Sequence, residues 1–145
     1  MAQTLYVMQG PAGSGKSSVA RCLLGAGQSQ ICSTDDFFKD DSGRYNFLPE
    51  KLREFHQRNL DRAKGLMDEG FSVILDNTNI KPWECREYVK HAVKLGISVV
   101  FIRVTGNFPN VHGVSPEKVI QQRNSMEDLT LESVLSSKAP WESPT

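Results

Sequence analysis

Residues Tyr6–Leu24 read YVMQGPAGSGKSSVARCLL: an apolar run, a glycine-rich turn with one lysine, then a helical pattern. Within it, Gly10-Pro11-Ala12-Gly13-Ser14-Gly15-Lys16-Ser17 satisfies G-x-x-x-x-G-K-[ST] at every fixed position, between strand and helix. Glycines let successive backbone N–H groups turn inward toward phosphate oxygens, and the helix carrying Ser18 adds its positive dipole end. Lys16 then reaches the β- and γ-phosphates, and the Ser17 hydroxyl is placed for Mg²⁺. The stretch predicts a bound nucleoside triphosphate, ATP or another, with Lys16 exposed until the ligand arrives.

Working outward, Leu5–Met8 reads as a buried strand and Ser17 to Leu24 as the helix after it. Ile31–Thr34 reads as a second strand, ending at Asp35-Asp36. Pro49 opens a long helix that Gly70 ends, and Phe71–Leu75 is a third strand running into Asp76-Asn77-Thr78-Asn79. Pro82 to Leu95 is another helix, Ile97–Val104 a fourth strand, and about Pro116 to Met126 a last helix. Strands alternate with helices and are continuous apolar runs. That predicts an α/β fold, a three-layer α/β/α sandwich of P-loop NTPase type with a parallel sheet of four or five strands. One domain over residues 1–145 is expected, with the tail after about Leu135 loosely held.

Lysine plus arginine (17) equals aspartate plus glutamate (17), which argues against a large non-specific nucleic-acid surface while leaving room for a local basic groove. Cys22, Cys32 and Cys85 show neither disulfide nor zinc-ligand spacing. With no secretory signal and no apolar run of membrane length, the expectation is an intracellular protein, cytoplasmic or nuclear, without a membrane partner.

In doubly wound sheets, ligands lie beyond the carboxyl ends of the strands. Asp35-Asp36 and Asp76 stand at such ends. A carboxylate there either holds metal-bound water or accepts the proton of an attacking hydroxyl, and capping is the plainer role for one of the aspartate pair. Asp76 follows its apolar run in Walker-B fashion, while Thr78 and Asn79 sit where substrate or nucleotide passes. On the long helix, at about 100° per residue, Leu52, Phe55, Ala63, Leu66 and Met67 form one apolar stripe. His56 and Asn59 fall inside the stripe and Arg62 at its edge. Polar groups there are either bonded core groups or substrate contacts.

The segments GPAGSGKSS, STDDFF, FHQRNLDRAKGLM, VILDNTN with Trp83-Glu84, and HGVSPEKV carry a further resemblance. On them the chain resembles the P-loop polynucleotide 5′-hydroxyl kinases, in particular the polynucleotide-kinase-like domains of eukaryotic ubiquitin-ligase-binding proteins. The resemblance implies an ATP- and Mg²⁺-dependent kinase whose acceptor is a nucleic-acid 5′ end. It makes Asp35 the general base and leaves Ser17, Asp35 and Asp76 around the metal. Asp36, His56, Asn59, Arg62, Thr78 and Asn79 fall to the acceptor side. The chain departs from the pattern in two places. Phe38 stands where those kinases carry a substrate arginine, and Pro109 replaces the lid arginine ahead of Asn110 and His112-Gly113-Val114. Arg103, Lys118 and Arg123 are the candidates for the missing lid charge, and slow turnover is expected without it. A small-metabolite kinase and a non-catalytic nucleotide-binding module are the competing expectations.

Overall fold

The structure, a computed structural model, describes residues 3–25, 28–108 and 113–142. Four strands, β1 (Thr4–Gln9), β2 (Ser29–Cys32), β3 (Ser72–Leu75) and β4 (Ser98–Arg103), form one parallel sheet in the order β2-β3-β1-β4. Leu5 pairs with Val73 on one side and Val99 on the other, so β1 is central. Its alternate side chains feed two cores, as a strand covered on both faces requires.

On one face, Leu5, Val7, Val73 and Leu75 pack with Ala63 and Met67 of α2 (Leu52–Asp68), Val89 and Ala92 of α3 (Arg86–Lys94), and Val134 of α5 (Leu131–Leu135). On the other, Met8 and Ile74 meet Ala20 of α1 (Lys16–Leu23). Each such aliphatic side chain contributes about 1.5–3 kcal/mol when fully buried. The three-layer α/β/α arrangement is as expected, with four strands among the described residues. The helix α4 (Pro116–Ser125) contributes no buried residue; Ser115 caps it by accepting from the Lys118 N–H.

Two local expectations are corrected. The second strand ends at Cys32, not Thr34, because Thr34 N–H is taken by Asn77 Oδ1 (3.0 Å) and Asp36 N–H by Ser33 O (3.1 Å). Those bonds start a 3₁₀ turn, Thr34–Phe38, in place of another ladder step. Pro49 opens a 3₁₀ turn, Pro49–Lys51, and the α-helix proper begins at Leu52. Within the tail expected to be loosely held, residues 136–142 are docked on the fold. Arg86 donates to Ser137 O and pairs with Glu142, Ala139 is buried, and Trp141 stands edge-on against Trp83 at 5.1 Å.

Candidate active site

Between β1 and α1 the loop turns through Gly13 and Gly15, whose φ values of 79° and 96° lie where side chains are disfavoured. Gly10 is needed for a different reason: a Cβ there would stand 2.5 Å from both Ser14 Oγ and Val104 O. Gly10 N–H donates to Thr78 O at 3.0 Å, tying the loop to the chain leaving β3. Lys16 is half-buried, not exposed as expected, and its Nζ donates to Pro11 O at 3.2 Å. Burial lowers its pKa, opposed by the charges of Asp76 and Asp35.

Ser17 Oγ donates to Asp76 Oδ2 at 2.9 Å. Asp76 is buried, and burial raises its pKa against the Ser17 hydrogen bond and the Lys16 charge. Its other oxygen, Oδ1, is buried and has no hydrogen-bond partner among the described residues. Such an atom calls for a ligand. A Mg²⁺ ion fits this donor set of one hydroxyl and one carboxylate, since Mg²⁺ is usually held by one or two protein oxygens together with substrate phosphates. Among the described residues there is no cluster of three or more His, Cys, Asp or Glu that could hold a metal.

Asp35 lies half-buried in the 3₁₀ turn after β2, and its Oδ1 accepts from Tyr45 Oη at 3.3 Å. Burial, followed by the Asp35 charge and that hydrogen bond, pushes the Tyr45 pKa up to about 12. Lys16 feels both Asp35 and Asp76, so the lysine and two carboxylates from the ends of adjacent strands share one electrostatic site. Nothing in the local sequence pattern marked Tyr45 as a partner of Asp35.

His56 is exposed; its Nδ1 lies 3.1 Å from Thr34 Oγ1. The protein around its ring lowers its pKa, opposed by Asp35. Arg62 donates to Asn59 Oδ1 (2.8 Å) and Ser33 O (3.4 Å), lies 3.5 Å from Asp36 Oδ2, and sits over the Phe37 ring at 4.9 Å. His56, Arg62 and Asp36 are thus gathered beside the turn that holds Asp35. Asn59 is not on that surface. It is 0% exposed and donates to Tyr88 Oη at 3.1 Å while accepting from Arg62, so it is a bonded core group rather than an acceptor contact. Asn79 is also buried, at φ 46°; its Nδ2 donates to Met8 O at 2.7 Å, while its Oδ1 has no hydrogen-bond partner among the described residues. Asparagine tolerates that backbone region better than most residues. Thr78 is half-buried, and its carbonyl is the group that holds Gly10.

Arg103 is bonded away from the phosphate loop. Its Nε donates to Gln9 Oε1 (2.9 Å) and its Nη2 to Asp128 Oδ1 (3.0 Å). It shares the face of β4 occupied by Val99 and Phe101, opposite the face where Ile102 packs with α1. Lys118 is exposed in the first turn of α4. Arg123 does reach the loop's surroundings, donating to Thr105 O (3.2 Å) and Gly106 O (3.1 Å). That strand-to-helix segment lies across the phosphate loop: Phe108 N–H donates to Gly13 O at 2.7 Å, and a Cβ on Gly106 would meet Ser14 O at 2.5 Å. From α4, Gln122 Oε1 accepts from Ala12 N–H at 3.1 Å, a contact no motif announced. Pro109, Asn110, Val111 and His112 lie outside the described residues.

The family model described as AAA domain matches residues 5–127. Human NEDD4-binding protein 2 is 34% identical over 148 residues, covering 94% of this chain, and the chain spans only 8% of that protein's length. Among solved structures, one of the Pnkp1/Rnl/Hen1 complex superposes with a TM-score of 0.59 at 19% identity, covering 84% of this chain and 40% of that one. The Mycobacterium tuberculosis APS kinase CysC in complex with AMPPNP and APS is 25% identical with a TM-score of 0.50, covering 71% and 63%. These likenesses bear out the P-loop kinase fold and the resemblance read from the sequence. No described helix is long and apolar enough to cross a membrane.

Proposed function

The chain belongs to the AAA domain family of P-loop proteins, and on that premise we propose that it is a nucleoside-triphosphate-dependent kinase acting on the 5′-hydroxyl of a nucleic acid. One observation carries the reading: Lys16 lies under the influence of both Asp76, bonded to Ser17, and Asp35, at the end of the neighbouring strand. Two carboxylates with different surroundings support two roles. Asp76, buried and joined to the loop serine, fits the metal side. Asp35, half-buried at the acceptor edge, fits the proton acceptor.

The loop amides and Lys16 hold the donor phosphates and meet the charge that spreads over the equatorial oxygens. When bound, Mg²⁺ supplies charge neutralisation between the β- and γ-phosphates; Ser17 and Asp76 would hold it. Asp35 takes the proton of the attacking hydroxyl, and Tyr45 keeps that carboxylate oriented through its hydroxyl. His56, Asp36 and Arg62 form the adjoining wall, with the Phe37 ring under Arg62. A guanidinium stacked on an aromatic ring suits a nucleotide base and phosphate.

A small hydroxylated nucleotide as acceptor is the second reading, favoured by the likeness to the APS kinase bound to AMPPNP and APS. Transfer of labelled γ-phosphate to 5′-hydroxyl DNA and RNA oligonucleotides, beside adenylyl sulfate and water, separates them. The proposal expects label on oligonucleotide 5′ ends. Label on the small acceptor alone supports the second reading, and triphosphate binding with no transfer makes the chain a nucleotide-binding module.

A further inference from the structure

Ala12 N–H belongs to the row of loop amides that face a bound phosphate, yet its partner here is a side chain from α4. A backbone N–H can only donate, so the Gln122 atom it meets is fixed as the carbonyl oxygen, and the same side chain must carry its two N–H donors close to the loop. The Nε2 group has no hydrogen-bond partner among the described residues. Gln122 therefore holds the position that an anionic oxygen would take, with unspent donors beside it.

Two neighbours locate this contact along the triphosphate. Lys16, the residue that serves the β- and γ-phosphates in such loops, rests its Nζ on Pro11 O, the carbonyl immediately before Ala12. The Gln122 contact is thus at the γ end of the loop. Arg123, next on the same helix, is bonded to Thr105 O and Gly106 O, and Gly106 lies against Ser14 O. That pair of bonds fixes the register of α4 over the loop, so Gln122 is a held contact.

No lysine or arginine occurs between Thr105 and Ser115, Arg103 is tied to Asp128, and Arg123 spends its guanidinium on backbone carbonyls. We infer that Gln122 is the α4 side chain that contacts the terminal phosphate of the bound triphosphate. A phosphate oxygen takes over the Ala12 N–H, the freed amide turns, and Nε2 donates to that phosphate. The inference rests on the reading of the loop as a triphosphate site, and it makes an uncharged amide the group that distinguishes triphosphate from diphosphate.

Calorimetric titration of the full chain with ATP and with ADP, in the presence of Mg²⁺, tests this on Gln122→Ala and Gln122→Glu. Gln122→Ala is expected to weaken ATP about tenfold, the effect of one hydrogen bond to a charged group, and ADP by less than about twofold. Gln122→Glu keeps the shape and the acceptor for Ala12 but sets a carboxylate against the phosphate, so its ATP loss is larger still. Because it is isosteric, it serves as the test if the alanine variant fails to fold. Equal loss of ATP and ADP, no loss, or tighter ATP binding in folded variants overturns the assignment. Failure of the unaltered chain to bind either nucleotide overturns the triphosphate reading beneath it, whereas binding without transfer to any acceptor overturns only the kinase reading.

Discussion

Ser17 Oγ donates to Asp76 Oδ2 at 2.9 Å, joining the first turn of α1 to the end of β3 at the foot of the phosphate loop. The second carboxylate oxygen is buried without a partner among the described residues, so the protein keeps an unmet acceptor beside Lys16. A site built for binding a charged ligand is commonly a site of stored instability.

Asp76→Asn should therefore raise the melting temperature of the ligand-free chain while abolishing Mg²⁺-dependent triphosphate binding. Burial raises the folded-state pKa of Asp76 above its unfolded value, even after the Ser17 bond and the Lys16 charge are included. The folded chain then binds the extra proton. The group's stabilisation is full below the ordinary carboxylate pKa and is lost as pH rises through the raised one. At neutral pH the carboxylate is a net cost, and the amide removes it while still accepting from Ser17. A gain of about 0.5–2 kcal/mol is expected. Thermal melts across pH should show the difference between the two proteins shrinking below the carboxylate range. A lower melting temperature for the variant at neutral pH would reverse this account.

Asp35→Asn should leave triphosphate affinity near that of the unaltered chain and lower transfer by about 10²–10⁴, the usual contribution of a general base. Tyr45→Phe is the companion variant. It removes the hydroxyl that orients Asp35 and is expected to cost less, about tenfold, with no change in donor affinity. Single-turnover transfer with saturating ATP measures both. Unaltered transfer in the Asp35 variant would return that residue to capping the 3₁₀ turn.

His56 and Asn59 sit on one helical stripe, but their surroundings predict opposite phenotypes. Asn59→Ala deletes hydrogen bonds to Tyr88 and Arg62 inside the core, and a destabilisation of about 1–3 kcal/mol with an unchanged acceptor KM is expected. His56→Ala should raise the acceptor KM with little change in melting, because the residue is exposed and Thr34 is its hydrogen-bond partner among the described residues. Urea melts paired with acceptor titrations separate the two, and the reverse pattern would place His56 in the core and Asn59 at the substrate.

The difference between those residues marks where sequence reading stops. The Tyr6–Leu24 stretch was legible because phosphate binding dictates residue types at fixed spacing, and the strand-end aspartates were legible because a parallel sheet opens its site at one edge. Asn59 was not, since an apolar helix stripe records burial alike for a bonded core amide and for a ligand contact. Its partner, Tyr88, comes from another helix. β2 was misplaced by two residues because Thr34 continues the β-branched pattern, while the deciding bond comes from Asn77, far away in sequence. The short helix α5 and the docked tail escaped notice for a related reason. Arg86 and Glu142, Trp83 and Trp141, pair only after the chain folds back.

That docked tail should bear weight. Truncation after Ser136 removes the Glu142 partner of the largely buried Arg86, the packed Ala139 and the Trp141 edge against Trp83. A loss of about 1–3 kcal/mol in urea melts is expected, chiefly because Arg86 loses Glu142 and Ser137 O and keeps Glu87 as its ion-pair partner. Nucleotide affinity should be unchanged, since Ser137, Trp141 and Glu142 pack on the Trp83–Arg86 side, away from the phosphate loop. A truncated chain that melts with the full one would show that the tail rests on the fold without supporting it.

Arg103 and Arg123 should differ in kinetics because their guanidinium groups hold different parts of the structure. Arg103 is bound to Gln9 and to Asp128, which is 91% exposed, on the face away from α1. Exposed pairs of this kind contribute about 0–1 kcal/mol. Arg103→Ala should therefore cost little stability and leave both triphosphate affinity and kcat within about twofold, since no phosphate charge depends on it. Arg123→Ala instead releases Thr105 O and Gly106 O, which hold the segment lying on the loop from Gly13 to Gly15. Triphosphate affinity should fall by about tenfold through lost positioning. Lysine should rescue it only in part, because one ammonium does not reproduce a guanidinium fork spanning two carbonyls. Transfer assays with saturating ATP, run beside direct binding, read each effect. A loss of about 10³-fold or more in kcat for Arg103→Ala, with ATP affinity intact, would instead identify Arg103 as the cation at the transferring phosphate and would require α4 and β4 to rearrange around the donor.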